Sequence, residues 1–314
     1  MPKGVDIDGI LVTWGDRLFF PGNRVVKGAT PPKLTGSALR QRANFIRSRI
    51  AAIVRRAPQV MVKVTGGGRC MRAIAAHFRY ISKNGRLDIE DDRGETIKGP
   101  RAVRDLADDW RYSGSLIAED AAAGGRREAF NIMLSMPRGT DPLAVLRAAR
   151  EFARVALDGH KYVMVLHDHQ ANPHVHVSVR AEARDGRRLN PRRMDLCRWR
   201  ETFAEKLRGL GIDAEASRRA ARGTQRHYEQ LWRLKARDAG RLLGSSTSAP
   251  VLPHRSPRTS DAWTRISLAL DASDLSEDRR LGRALAAYMA GVAPKVSPDA
   301  SRRDSRLRIR ILQR

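Results

Sequence analysis

Residues 161–181 read KYVMVLHDHQANPHVHVSVRA, and the alternation within this stretch decides the fold. From 174 to 180, histidine, histidine, serine and arginine occupy every second position, and valine occupies the positions between them. Alternate residues of a β-strand share one face, so the pattern predicts a strand with one polar and one apolar face. A similar alternation precedes it, and the short connection 168–173 favours a hairpin-like return. We therefore predict paired strands at 161–167 and 174–181.

This hairpin would bring three histidines together on one face of a sheet. His174 and His176 project side by side from the second strand, and the return of the chain sets His167 opposite them. Three imidazoles on one face form a metal site that keeps open positions for a substrate. The alternative is a polar face with solvated histidines, but three histidines at this spacing favour the metal site.

The ligand set leaves the identity of the metal open. Imidazole ligands on their own suit Zn, Mn, Fe, Co or Ni better than Mg. The oxygen atoms of a bound phosphate group would instead favour Mn or Mg. We expect a divalent cation, Mg or Mn, with Zn or another transition metal as the alternative.

Helices and further strands surround this hairpin along the chain. Apolar periodicity and turn residues predict strands at 59–64 and 129–134, a short hairpin at 86–98, and helices at 36–57, 69–83, 100–112, 142–157 and 191–210. Strands separated by helices predict an α/β (α+β) fold with a central antiparallel or mixed sheet of about five strands and flanking helices. A helical C-terminal extension follows.

Composition divides the chain into four predicted segments. They are a basic N-terminal lead-in and helix (1–58), a catalytic domain (59–222), a basic helix with a Ser/Pro-rich linker (223–260), and a small helical pair with an Arg-rich tail (261–314). Residues 1–34 are rich in Gly and Pro and are expected to be loosely structured. An edge strand is expected within 212–222.

Tyr80 lies on an unusual side of the predicted helix at 69–83. The apolar residues of this helix recur at helical spacing, whereas Tyr80 lies on the opposite side, with His77 nearby. A structural tyrosine normally joins the apolar stripe and lets only its hydroxyl group reach water. An ordinary exposed tyrosine is the alternative. A phenol beside a metal can attack phosphorus and hold the product as a covalent ester.

The chain is strongly basic, with 60 Lys and Arg against 34 Asp and Glu and a formal net charge of +26. Such a charge repels itself unless an anionic partner is present, and nucleic acid is the commonest one. The two cysteines are not in a CxxC pair, which argues against a disulfide framework and suits a reducing cytoplasm. We find no apolar run long enough for a membrane span and no signal-peptide core, and therefore expect a cytoplasmic protein.

Three motifs, in order along the chain, resemble those of the MOB-P class of relaxases. This class of HUH endonucleases includes the T-DNA border endonuclease and plasmid mobilisation nucleases. Residues 62–95 resemble its first motif, residues 134–142 its second, and His167 with His174-Val175-His176 its third. The roles of nucleophile, DNA-contacting serine and metal ligands then fall on Tyr80, Ser135, and His167, His174 and His176.

The third motif departs from the pattern of the class at one position. The class usually has Asp two residues after the first histidine, whereas His169 stands there in this chain and Asp168 precedes it. Either residue is a candidate to orient a ligand or to assist in deprotonating Tyr80.

The resemblance implies a DNA relaxase that nicks one strand at an origin of transfer, for conjugative transfer or mobilisation, and stays attached to the new 5′ end. Its DNA partner would be single-stranded at the nick and a duplex or inverted repeat beside it. Since Lys and Arg contacts to phosphate supply most of the affinity for DNA, the expected DNA-binding residues besides Ser135 are Arg69, Arg72, Arg138, Arg180, Arg192 and Arg193.

Further partners implied by the resemblance are an auxiliary nicking protein and a type IV coupling protein, with export of the chain alongside its strand. Two other readings stay open. One is a rolling-circle replication initiator or HUH transposase, which shares the metal–tyrosine chemistry. The other is a non-catalytic basic DNA-binding accessory protein with structural histidines.

Overall fold

The computed structural model describes residues 6–19, 34–121, 125–170, 172–217, 221–222 and 257–292. The chain divides into two compact units. One unit, Arg56–Ala216, contains the sheet, and the other combines Met1–Arg55 with Ser217–Arg314. The described part of the second unit is helical.

Six strands form one antiparallel sheet in the first unit. They are β1 (Met61–Gly66), β2 (Ile89–Asp91), β3 (Thr96–Ile97), β4 (Ala129–Ser135), β5 (His160–His167) and β6 (His174–Ala183). Their spatial order is β1-β4-β6-β5-β2-β3, and each neighbouring pair is antiparallel. The predicted α+β class is confirmed; the sheet has one strand more than expected and is antiparallel rather than mixed.

Eight helices are described in the two units. They are α1 (Ile7–Phe19), α2 (Gly36–Val54), α3 (Met71–Ile81), α4 (Pro100–Tyr112), α5 (Pro142–Ala156), α6 (Arg193–Gly209), α7 (Pro257–Asp271) and α8 (Ser276–Val292). The start of α5 follows local chemistry, because the Asp141 side chain accepts hydrogen bonds from the backbone N–H groups of Leu143 and Ala144. Pro142 fits the first turn, where its missing N–H group costs nothing.

The two faces of the sheet bury different helices. The valines of β6 pack with Phe152 of α5 and Phe203 of α6 in one core. On the other face, Phe78 of α3 and Trp110 of α4 pack over β5, with their ring centroids 4.8 Å apart. Burying each large side chain contributes roughly 1.5–3 kcal/mol. The alternation in β6 therefore fixes the histidines on the face that carries α3.

The helical unit has its own core and a buried ion-pair network. Helices α1, α2, α7 and α8 share an apolar cluster around Ile46, Ile50 and Trp263. The guanidinium group of Arg47 in α2 pairs with Asp8 at 2.7 Å and with Asp278 at 2.8 Å. These bonds join three helices that lie far apart in the sequence.

Two sequence expectations outside the sheet were wrong. Within 1–34, residues 7–19 form α1 rather than loose structure, because its apolar side chains pack on α2. Gly15 permits this close approach, since a Cβ atom there would lie 2.6 Å from the Ile46 side chain. Within 212–222, the described residues form only an isolated bridge from Glu215 to Gln59 instead of an edge strand.

The expected helical pair after residue 261 is confirmed by α7 and α8. The basic helix expected at 225–242, the Ser/Pro-rich linker up to 256 and the Arg-rich tail at 301–314 lie outside the described residues. Among the helices that are described, none combines the length and the apolar character needed to cross a bilayer.

Candidate active site

The β5–β6 hairpin assembles the three histidines as the alternation predicts. His167 pairs directly with His174, and His176 pairs with Val165. The ring centroid of His167 lies 4.6 Å from that of His176 and 5.0 Å from that of His174. One ligand nitrogen from each ring lies within 4.8 Å of the other two. We call His167, His174 and His176 the histidine triad.

Backbone carbonyl groups fix the orientation of two triad rings. The Nε2 of His167 lies 2.7 Å from the carbonyl oxygen of Ile81, and the Nδ1 of His174 lies 2.9 Å from that of Asn172. A carbonyl oxygen only accepts hydrogen bonds, so these two nitrogens carry the ring protons. The Nδ1 of His167 and the Nε2 of His174 therefore keep the lone pairs that a metal requires.

Burial favours the neutral form of two triad imidazoles, those of His167 and His176. It lowers the pKa of His167 and lowers the pKa of His176 to about 3, with repulsion from neighbouring histidines adding to the effect on both. A neutral imidazole is the form that binds a metal, because protonation would occupy the lone pair. These two rings are thus in the form that binds a cation at neutral pH.

Two unpaired nitrogens show that the triad fits a metal ion. The Nδ1 atoms of His167 and His176 are buried, and neither has a hydrogen-bond partner in the described structure. Leaving such an atom unpaired costs about 1–3 kcal/mol, which a coordinated cation would offset. Within the described ranges, the triad is the only group of three His, Cys, Asp or Glu residues with this geometry.

Tyr80 lies on α3, beside the triad. This helix buries Met71, Ile74, Phe78 and Ile81, whereas Tyr80 is 73% exposed. The predicted position of Tyr80, on the side of the helix away from its apolar residues, is confirmed. A phenol this exposed is accessible to a DNA strand.

His77 neighbours both Tyr80 and His176, and the sequence did not predict it as part of the site. Its ring centroid is 6.3 Å from that of Tyr80, with the planes 30° apart, and 6.4 Å from that of His176. Burial lowers the pKa of His77 to about 4, so the ring is neutral at neutral pH. The available signal was its spacing of three residues from Tyr80, which puts both on one side of the helix.

The two candidate proton acceptors lie in the connection after β5. Asp168 and His169 are both exposed, and the ring centroid of His169 lies 5.2 Å from that of His167. Both therefore lie at the edge of the triad rather than within it. Their roles stay predictions.

Comparison with known proteins agrees with this geometry. Residues 88–212, which include the whole triad, match the relaxase family model described as a MobA/VirD2-like nuclease domain. This part of the chain is therefore similar to the nuclease domain of the MOB relaxases. The matched region begins directly before β2 and ends after α6.

Three curated relatives of this chain are T-DNA border endonucleases VirD2. The chain is 25% identical over 202 residues to that of Rhizobium radiobacter, 27% over 203 residues to that of Agrobacterium fabrum strain C58, and 25% over 183 residues to that of Rhizobium rhizogenes. These alignments cover 57%, 57% and 52% of this chain. They cover 47%, 45% and 42% of the relatives, so the chain spans less than half of their length. No solved structure matches this chain significantly.

Ser135 ends β4 directly opposite His174. It is buried, and its hydroxyl group donates to the carbonyl oxygens of Pro173 at 3.3 Å and Met136 at 3.4 Å. This serine therefore supports the loop that leads into the triad. A contact between its hydroxyl group and DNA stays a prediction.

Most of the predicted DNA-binding arginines are exposed. The exposed ones are Arg69, Arg72, Arg138, Arg192 and Arg193. Arg72 is held by an ion pair with Asp120 at 2.7 Å. The backbone N–H group of Arg138 donates to the side chain of Asn172, two residues before His174, at 3.0 Å.

Arg180 does not fit the expectation that it contacts DNA. It is only 2% exposed, and its guanidinium group donates to the carbonyl oxygens of Trp110 and Ser115. It lines a cavity of about 360 Å³ at the opposite end of β6 from the triad. The alternation predicted its face correctly, but α4 and the segment that follows cover that end of the face.

Proposed function

We propose that this relaxase nicks one DNA strand at an origin of transfer by transesterification on Tyr80. The observation that supports this most directly is that Tyr80 and the triad both neighbour one imidazole. The ring centroid of His77 lies 6.3 Å from that of Tyr80 and 6.4 Å from that of His176. The match to a MobA/VirD2-like nuclease domain supports the same class of reaction.

Tyr80 is the nucleophile in this proposal. Its phenol oxygen attacks the scissile phosphorus, forming a new phosphorus–oxygen bond while the bond to the 3′ oxygen breaks. The phenol proton passes to an acceptor, for which Asp168 and His169 are the candidates, and the 3′ oxygen takes up a proton. The products are a 5′-phosphotyrosine and a free 3′-hydroxyl group. Because one phosphodiester replaces another, the same step in reverse religates the strand.

The triad is the proposed ligand set of a divalent cation. When bound, the cation polarises the non-bridging oxygens of the scissile phosphate and offsets the negative charge that develops on them. Phosphate oxygens favour Mg or Mn, whereas the imidazoles favour Zn or another transition metal. The carbonyl bonds to His167 and His174 hold the rings in the orientation that this role requires.

DNA is the proposed substrate, and the charge of the chain supports it. A net charge of +26 and the exposed arginines Arg69, Arg138, Arg192 and Arg193 suit contacts to the phosphate backbone. The relatives are named T-DNA border endonucleases, which supports a nick at a defined site before strand transfer. An auxiliary nicking protein, a type IV coupling protein and a cytoplasmic site of action belong to the same proposal.

The test is a search for a covalent protein–DNA adduct. The full chain is incubated with Mn or Mg and labelled single-stranded oligonucleotides that tile the DNA around its own gene, and the products are separated on a denaturing gel. We expect an adduct with the unmodified chain and none with Tyr80→Phe, although Tyr80→Phe still binds DNA. Tyr112→Phe is the matched control, because Tyr112 is 69% exposed on the neighbouring α4.

Two results would contradict the proposal. An adduct that persists in Tyr80→Phe would exclude this tyrosine as the nucleophile. Tight DNA binding without an adduct for any oligonucleotide or metal would instead favour a non-catalytic DNA-binding protein.

A further inference from the structure

The buried nitrogen of His77 is a feature that packing does not explain. Its Nε2 is inaccessible to solvent and has no hydrogen-bond partner in the part of the chain that the structure describes. An unpaired buried nitrogen costs about 1–3 kcal/mol, and a phenylalanine ring of similar shape would avoid that cost. A buried nitrogen without a hydrogen-bond partner therefore indicates a function other than packing.

His77 lies outside the metal-binding set. The triad centroids lie 4.6 to 5.0 Å from one another, whereas the His77 centroid lies 6.4 Å from that of His176. The ligand atoms that lie within 4.8 Å of one another come from His167, His174 and His176, and His77 is not in that group. His77 is therefore not a fourth ligand in this arrangement.

Among the described residues, the ring of Tyr80 is one of two polar rings that neighbour His77, the other being that of His176. Tyr80 and His77 lie one turn apart on α3, and their rings stack at 30°. Because Tyr80 is 73% exposed, its side chain can change rotamer without disturbing the core. Since the His77 ring also lies 6.4 Å from that of His176, a phenol held at His77 would be held near the triad.

We propose that His77 is a positioning residue for Tyr80, with its Nε2 accepting a hydrogen bond from the phenol hydroxyl group and holding it beside the triad. The inference rests on the proposed role of Tyr80 as nucleophile. A misplacement of about 1 Å can lower a reaction rate by about 100-fold. We therefore expect the placement of Tyr80 by His77 to contribute about 10- to 100-fold to the rate of nicking.

The test compares two substitutions of His77 in the full chain. His77→Phe keeps a ring and removes the nitrogen, whereas His77→Gln retains a polar group near the position of Nε2. We expect His77→Phe to lower kcat for nicking by about 10- to 100-fold, with KM for the oligonucleotide and the Mn affinity unchanged. Its melting temperature should be equal or higher, because the buried unpaired nitrogen is gone. His77→Gln should recover part of kcat.

His160→Phe is the matched control for the same exchange. His160 lies at the other end of β5, and its Nδ1 lies 2.9 Å from the carbonyl oxygen of Arg180, so its nitrogen is already paired. This variant should lose thermal stability and keep kcat, the opposite of His77→Phe.

Nicking by His77→Phe at the full rate would overturn the inference while leaving the role of Tyr80 intact. Loss of Mn binding in His77→Phe as severe as in His176→Phe would also overturn it, because His77 would then be a ligand. If the unmodified chain forms no adduct, the proposed function fails first and this inference falls with it.

Discussion

His167 donates a 2.7 Å hydrogen bond through its Nε2 to the carbonyl oxygen of Ile81, the residue that follows Tyr80. The bond joins the first histidine of the triad to the last turn of α3. A helix C-terminus carries unpaired carbonyl groups and a partial negative charge, which favours a donor there. This hydrogen bond fixes the triad relative to the helix that carries Tyr80. A substitution of His167 should therefore affect both the metal site and the position of Tyr80.

Replacing His167 with alanine should abolish metal binding. Loss of one of three ligands, together with the bond to Ile81, should weaken the Mn affinity by about 100-fold or more. Titration calorimetry of the full chain measures this directly. His169→Ala is the control, since His169 lies next to the triad but outside it. Equal Mn affinity in the two variants would contradict the assignment of the ligands.

The metal-free chain should lose stability as the pH falls below neutral. In the unfolded chain, histidine side chains have a pKa of about 6.5. In the folded chain, burial lowers the pKa of His176 to about 3 and that of His77 to about 4. Between about pH 3 and pH 6.5 the unfolded state therefore binds more protons than the folded state. The contribution of the neutral histidines to the free energy of unfolding is complete above about pH 6.5 and decreases as the pH falls toward 3.

Urea unfolding midpoints at pH 7 and pH 5, with a chelator present, test this dependence. His176→Asn removes one buried imidazole and should show a smaller difference between the two pH values than the unmodified chain. A difference of the same size in both proteins would show that His176 is not the source.

Arg180→Met should destabilise the fold without altering DNA binding. The substitution leaves the carbonyl groups of Trp110 and Ser115 without their donor, which should cost about 2–4 kcal/mol of unfolding free energy. Denaturant unfolding gives this value, and oligonucleotide binding at low temperature gives the affinity. Weakened DNA binding with unchanged stability would restore Arg180 as a DNA contact.

Arg138→Ala should weaken DNA binding in a salt-dependent manner. Arg138 is exposed, and its backbone is tied to the hairpin connection that precedes His174. Removal of one phosphate contact should reduce the slope of log affinity against log salt by about 1. Arg154→Ala is the control, because Arg154 lies on α5, on the opposite face of the sheet, and pairs with Glu151. Identical slopes for both variants would contradict a role for Arg138.

The sequence predicted the triad because strand alternation is a local property. His174 and His176 lie two residues apart on β6 and therefore share one face, and the short connection sets His167 opposite His174. The position of Tyr80 followed from helical periodicity in the same way. The α5 start at Asp141 was also local, since capping depends on neighbouring backbone groups.

What the sequence did not reveal depends on contacts between distant segments. The burial of Arg180 arises from Trp110 and Ser115, which lie far away along the chain. The neighbourhood of His77 and His176 becomes visible only when α3 is placed beside β6. Likewise, α1 is helical because α2 covers it, although its glycines suggested loose structure.

The most direct test of the account is mass spectrometry of the covalent adduct after digestion. Trypsin cleaves after Arg79 and Lys83, so the peptide that contains Tyr80 is the four-residue segment YISK. We predict that this peptide carries the 5′-phosphate of the nicked strand, and that the mass shift is absent from Tyr80→Phe. A nucleotide found on any other residue, or a nicked product without a linked peptide, would contradict the claim that Tyr80 attacks the phosphate bound at the triad.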